Sequence, residues 1–437
     1  MEFSTDCMKE ELDFFGEPIS QTEVEDSRFI EYLPIQSIDA NNDIRFRLIG
    51  GGDEYLDLQS SFIVVNLEIM RANEAAIPAN EKIFPVNNLL HSIFNKVNVT
   101  FNNTLVATDH ANYACRAYLQ TLLNFDKNDQ EGILSAALWI KDDPNKFNSV
   151  LITDAARNHG AKKRKSMFNM ESNYGSIQLA GRLFVDLFHQ DKLIPNNIDI
   201  DIELHKNTPH YPFITDGIAT KFTIKNIRFY ARKVLLNKDM QSIIEKKFSN
   251  EPAVFPFVRS ILKTLPIVEN SSSVHHENLF LGRMPSRIFL GFMETASYSK
   301  SNYKRNPFHL EHFNINYIAI YKNDKMIPSK AYTPNFTNGD YVRSYLSVFH
   351  ATNTYYNNKS VNISLSEYSK GYTLWGFDLS PDQCKEDFFQ KPETGNIKLE
   401  VRFTNPLRNN VTCLVYADFN DILEIDKNRE ITLKYTI

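Results

Sequence analysis

At 437 residues, 42% of them hydrophobic and 12% aromatic, the chain is long enough for two domains with full cores, and its 20 Tyr and 32 Phe lean towards β structure. Four cysteines, at 7, 115, 384 and 413, have no paired spacing, which excludes a disulfide framework and a cysteine zinc site and fits a reduced compartment. The apolar runs are too short to span a bilayer and no basic start with an apolar run opens the sequence, so a soluble intracellular product without membrane insertion is expected.

The net charge of −5 is uneven. Residues 1–28 hold nine acids against Lys9 and Arg28 and carry −7, which leaves the remainder near +2. Residues 1–26 read as an acidic N-terminal arm, with the Phe14-Phe15 pair as its anchor for assembly on a neighbour; a disordered terminus is the plainer alternative. From 27 onward strict alternation of apolar and polar residues recurs. "DIRFRLIG" (43–50) is followed by "VNVTFNNTLVAT" (97–108), a hairpin turning at Asn102-Asn103, and by "CRAYLQTLL" (115–123) with helical spacing. Next comes "HGAKKRKS", an extra surface loop whose Lys162, Lys163, Arg164 and Lys165 suit nuclear import, contact with a polyanion, or plain solvation. "GRLFVDL" then ends a strand at Asp186-Leu187. In "NIDIDIELHK", Ile198, Ile200, Ile202 and Leu204 share one face and Asp199, Asp201 and Glu203 the other. "KFTIKNIRFYARKVLL" (221–236) closes the first half.

Residues 237–250 read as a linker helix, capped by Asp239, with Met240, Ile243, Ile244 and Phe248 on one side. Beyond it the layout repeats. "YIAIYKNDKMI" (317–327) is a hairpin turning at Asn323-Asp324, "VRSYLSVFH" (342–350) matches the earlier Arg-small-Tyr-Leu helix, and "NIKLEVRF" (396–403) matches "NIDIDIEL". The offset is 227 residues between Arg116 and Arg343 but 199 between Asn197 and Asn396, so the first copy carries 28 extra residues between helix and strand. A duplicated all-β chain follows, with 27–236 and 251–437 as its two copies, each the size of one closed sandwich or barrel.

Three chemistries are tested by this pattern. "DFNDILEID" (418–426) offers Asp418, Asn420, Asp421, Glu424 and Asp426, but an EF-type calcium loop fails on Ile422 and Leu423 at positions 5 and 6 and on Arg429 at position 12. A strand with Leu423 and Ile425 inward and Glu424 and Asp426 outward, turning at 426–428, is expected instead, at the edge of the second sandwich. A metal-binding bicupin needs a His-x-His pair, which is absent; "HLEH" puts His309 and His312 on opposite faces of a strand, and His275-His276 sit in a Ser-rich loop. Nucleophile elbows and phosphate-cradling loops are missing as well, so neither cofactor nor catalysis is expected. A bicupin-like or carbohydrate-active β-sandwich enzyme and a DNA- or glycan-binding β protein remain as rivals.

"NNVTCLVYADFNDILEIDKNREI" (409–431), "YLDLQSSFIVVNLEI" (55–69) and the duplicated layout resemble the major capsid protein of polintons (Maverick elements) and adintoviruses, in order over 27–437. The resemblance implies a double jelly-roll, two eight-stranded antiparallel β-sandwiches in tandem with short helices in the loops. It implies a homotrimer of pseudo-hexagonal outline in an icosahedral virion shell, assembled in the host nucleus or cytoplasm. Neighbouring capsomers and a single jelly-roll penton protein are its implied partners, with packaged double-stranded DNA only an indirect one. No catalytic residues belong to that family.

Overall fold

The structure, a computed structural model, describes residues 20–38, 43–75, 77–78, 81–108, 111–152, 156–169, 175–298, 303–355, 360–381 and 389–434. Alternating residues make strands here because one face of each is buried. Ile44, Phe46 and Leu48 are buried and paired against Leu204, Ile202 and Ile200, while the arginines and carboxylates between them face outward.

In the first copy one sheet has the order β1 (Val24–Tyr32), β10 (Thr220–Leu236), β3 (Glu54–Arg71), β7 (Gly175–Gly181). The facing sheet has the order β2 (Ile44–Leu48), β8 (Ile200–Lys206), β5 (Phe94–Phe101), β6 (Thr104–Thr108). A small ribbon pairs β4 (Ile83–Pro85) with β9 (Phe213–Thr215). In the second copy the orders are β11 (Ala253–Ile267), β18 (Val411–Ile425), β13 (Arg287–Glu294), β16 (Leu374–Asp378) and β12 (Ser273–Arg283), β17 (Thr394–Phe403), β14 (Ile315–Lys322), β15 (Lys325–Tyr332). The short β19 (Ile431–Leu433) adds to the end of β18.

Numbering the eight sandwich strands of each copy from first to last, both copies give the same two antiparallel sheets, 1-8-3-6 and 2-7-4-5. That order is a jelly-roll, two Greek keys folded into two facing sheets, present twice. The first core fills with Phe46, Ile63, Val65, Val99, Ile202 and Phe229, the second with Ile288, Phe292, Ile318, Trp375, Val401 and Val415. Both hairpins turn where the sequence places them. Asn102 and Asn103 have φ of 43° and 68°, Asn323 and Asp324 of 48° and 63°, the left-handed pair of a two-residue hairpin.

Two local expectations are corrected. Asp186-Leu187 does not end a strand but opens a 3-10 turn, Asp186–His189, because the Asp186 carboxylate turns away to meet Arg116 at 3.0 Å. The linker helix, Lys238–Phe248, is capped not by Asp239 but by Asn237, whose side chain accepts from Met240 N at 2.7 Å. Phe248 is buried under it, whereas Ile243 stays exposed.

Candidate functional site

The two jelly-rolls meet along a broad apolar seam. The first copy contributes the helix Tyr113–Asn124, every residue of which but the last is buried, with Cys115, Tyr118, Leu119 and Leu122 in one cluster with residues of the second copy. Facing them is the outer side of the β11–β18–β13–β16 sheet, with Leu262, Phe289, Leu414 and Tyr416, and the loop residues Phe308 and Leu310. Tyr118 stacks on Phe308 at 4.2 Å with 4° between the rings. Aromatic rings buried along this seam hold the two copies together.

A hydrogen-bonded chain crosses the same seam. Gln120 donates to Asp186 at 3.2 Å and to Ser260 Oγ at 3.1 Å, Ser260 N donates to Asp186 at 2.9 Å, and Ser260 Oγ donates to Asp418 at 2.7 Å. Arg287 closes the chain on Asp418 at 2.5 Å. Each buried carboxylate thus has a cation and a hydroxyl or amide donor, the condition under which buried charge is tolerated.

This explains the acidic stretch. Asp418 and Asp421 are fully buried, and Arg259 and Arg283 both reach Asp421 at 2.5 Å. Guanidinium groups already fill the sites that calcium would need. Leu423 and Ile425 are buried as expected, and Asp426 accepts from Asn428 N and Glu430 N in the turn. The expected edge position is wrong, however. β18 lies between β11 and β13, and its first nine residues are all buried because one face meets its own core and the other the seam. Calorimetry should show no calcium binding to the wild type or to Asp418→Asn; micromolar binding lost in the variant would refute this account.

The 28 extra residues of the first copy are corrected too. They are not a solvated loop but a clasp on the second copy. "HGAKKRKS" is a helix, His159–Ser166, capped by Asn158. Arg164 is wholly buried and donates to Asp142 at 2.6 Å, to Pro85 O at 2.9 Å and to Ile140 O. Asp142 also accepts from Asn306 at 3.2 Å, and its carbonyl from the Tyr372 hydroxyl at 2.7 Å, both from the second copy. Lys141 reaches across to Glu367 at 2.8 Å. Lys165 is half-buried over the Phe84 ring, and burial lowers its pKa. Lys162 and Lys163 alone of the four cations are exposed, so the run is no four-cation patch.

Gly371 marks how closely the clasp fits. Its φ is +111°, and a Cβ there would lie 2.2 Å from the Phe147 ring, which also stacks on His309 at 4.7 Å. His309 and His312 do not sit on a strand, as expected, but in a loop. His309 Nδ1 meets Glu311 at 3.1 Å and His312 stacks on Phe336 at 4.0 Å.

Among the described residues a single group has metal-like composition, Asp43 just before β2 with Glu203 and His205 of β8. His205 Nδ1 faces Asp43 at 2.9 Å and its Nε2 faces Glu203 at 3.3 Å. Glu203 is already paired with Arg45 at 2.5 Å. The imidazole lies between the two carboxylates. Arg47 answers Asp199 at 3.0 Å, which relieves the repulsion among the β8 carboxylates. Cys115 and Cys413 are buried thiols; burial pushes the Cys413 pKa up. No described helix is long and apolar enough to cross a membrane. Phe14 and Phe15 lie outside the described residues.

No protein-family model matches the chain. An uncharacterized protein of Caenorhabditis elegans is 23% identical over 425 residues, which cover 94% of this chain and 97% of that protein. Among solved structures, a chain from the Sputnik virophage matches with a TM-score of 0.69 at 12% identity, over 99% of this chain and 93% of that one. A chain of the PBCV-1 virus capsid gives 0.58 at 10% identity, over 97% and 100%. The mavirus major capsid protein gives 0.56 at 11% identity, over 100% and 95%. At such identities the likeness is one of fold, and the fold is the double jelly-roll seen in those capsid proteins.

Proposed function

We propose that this chain is a major capsid protein of a polinton- or adintovirus-type element, forming homotrimeric, pseudo-hexagonal capsomers of an icosahedral double-stranded DNA virion. The observation that carries this reading is whole-length agreement in fold with viral capsid proteins, combined with a seam that locks two jelly-rolls into one block. Three such blocks present six similar wedges, the outline that tiles a hexagonal lattice. The reading gives the protein neighbouring capsomers and a single jelly-roll penton protein as partners, and contact with packaged DNA only indirectly. Any import or polyanion role falls to the exposed Lys162 and Lys163.

Native mass spectrometry at micromolar concentration should show a trimer, with an interface above ~2,000 Å² in total as in obligate oligomers. A monomer there refutes the reading. Deleting residues 1–19, which leaves β1 whole, should leave trimers thermally intact while impairing larger assemblies seen by electron microscopy, and Phe14→Ala with Phe15→Ala should reproduce most of that defect. An arm-free protein that assembles normally would remove the arm from assembly.

A further inference from the structure

One strand edge at the seam is left open. β11 pairs with β18 alone, with no shift of register from Ala253 to Ile267. Ser260 N donates to Asp186 at 2.9 Å and Leu262 O accepts from Asn112 at 3.2 Å. The even-numbered residues of β11 therefore turn their backbone groups away from β18 and towards the first copy. By the same alternation Val258, Leu262 and Thr264 aim their N–H groups outward, and no described residue accepts from them. Pro256 and Pro266 take the even positions that flank this segment, where an N–H would point the same way. Prolines stop pairing at both ends, so the open edge is bounded.

A second edge lies opposite. β6 ends its sheet, and Val106, Ala107 and Thr108 face β11 over a cavity of about 490 Å³. Val185, Leu187, Leu262 and Leu265 give this cavity apolar walls. Val254 and Val258, on the same face of β11 as Leu262, are 41% and 47% exposed and lead towards it from the linker. The groove is apolar in its side chains and rich in free amides along its edge. That is the chemistry that takes up an extended peptide.

Charge and reach select the peptide. β11 carries Arg259 and Lys263 and no acid. Residues 1–19 hold six acids against one base, Lys9, together with the Phe14-Phe15 pair. The root of this arm is held beside the linker, where Asn237 donates to Thr22 O at 2.6 Å and to Glu23 O at 2.9 Å. Nineteen residues span up to about 65 Å, against roughly 30 Å along β11 from Ala253 to Leu262.

Resting on the assembly reading above, we infer that the open edge of β11 is the docking groove for the acidic arm, residues 1–19, of a neighbouring chain, with Phe14-Phe15 in the cavity between β6 and β11. Main-chain bonds along Val258–Thr264 and the two rings supply the affinity, and opposite charge speeds the encounter.

A fluorescent peptide of residues 1–19 should bind a chain that lacks those residues, as read by anisotropy. Thr264→Pro removes an N–H that bonds nothing in the fold, so it should leave the melting curve unchanged and weaken peptide binding about tenfold. Val258→Asp, at an exposed position, should weaken it similarly by repelling the acidic peptide. Phe14→Ala with Phe15→Ala in the peptide should cost about a hundredfold. A peptide that does not bind, or binding that neither groove variant changes, overturns the assignment. In assemblies mixed from isotope-labelled whole chains, photo-reactive at Phe15, and unlabelled arm-less chains, cross-links should join labelled to unlabelled chains. Cross-links confined to single chains overturn the neighbour as donor. The peptide assay needs no assembly, so its failure is separate from failure of the trimer reading, which native mass spectrometry decides.

Discussion

Arg164→Met is expected to destabilise the protein by about 3–5 kcal/mol, the usual cost of removing one partner from a buried ion pair. Neither Arg164 nor Asp142 has any solvent access. The substitution strips a cation from the Asp142 carboxylate and leaves Pro85 O and Ile140 O without their donor. Asp142 would keep its bonds to Asn158 and Asn306, which hold an anion less well than a guanidinium does. Because Asn306 and Tyr372 belong to the second copy, the loss should appear as weaker coupling between copies. Urea unfolding followed by tryptophan fluorescence, which reports Trp139 in the clasp and Trp375 in the second core, should split into two steps in the variant. Lys162→Ala with Lys163→Ala, on the same helix but exposed, should cost within about 0.5 kcal/mol. Equal effects from the two changes would mean that the clasp carries no strain-bearing charge.

The second large effect is expected on acidification. His91 is buried and donates to or accepts from the Tyr113 hydroxyl at 2.9 Å; burial, then the nearby Arg116 charge, pushes its pKa down to about 3. The unfolded chain binds this proton near pH 6.5 and the folded chain does not, so stability is intact above pH 6.5 and falls as the pH drops towards 3. The slope is about 1.4 kcal/mol per pH unit, hence a loss of roughly 2–3 kcal/mol at pH 4.5. His91→Gln removes the proton-binding group while keeping a polar partner for Tyr113. Between pH 6.5 and 4.5 its urea-derived stability should fall less steeply than that of the wild type, by about one proton's worth. Parallel slopes in the two proteins would show that His91 is accessible to protons in the fold.

Much of the fold was legible because one-sided burial writes itself as alternation. Ile200, Ile202 and Leu204 could only point one way once Asp201 and Glu203 pointed the other. The asparagine turns were legible because Asn tolerates positive φ. The seam was far less so. A signal was present in "VTCLVYADF", where alternation lapses for nine residues, as it does when both faces of a strand are covered. Read as an edge, that run concealed the inner strand of the sheet. Arg164 left no such trace, since nothing local tells a buried guanidinium from a solvated one inside "KKRK". Its partners, Asp142, Pro85 and Ile140, are up to 79 residues away. Asp43 and His205 are likewise joined only by strand pairing.

The place of β18 also orders events in time. It is made after the other seven sandwich strands of its copy, with only the short β19 following, yet β11 and β13 both wait for it, since neither pairs with the other. Its far end reaches further still, placing Leu423 and Ile425 among the buried residues of the first jelly-roll. A chain emerging from the ribosome therefore cannot finish the first copy before it begins the second, as separate domains do. Sequence-distant pairing of this kind is slow, and until it happens the flanks of β11 and β13 stand open to other chains.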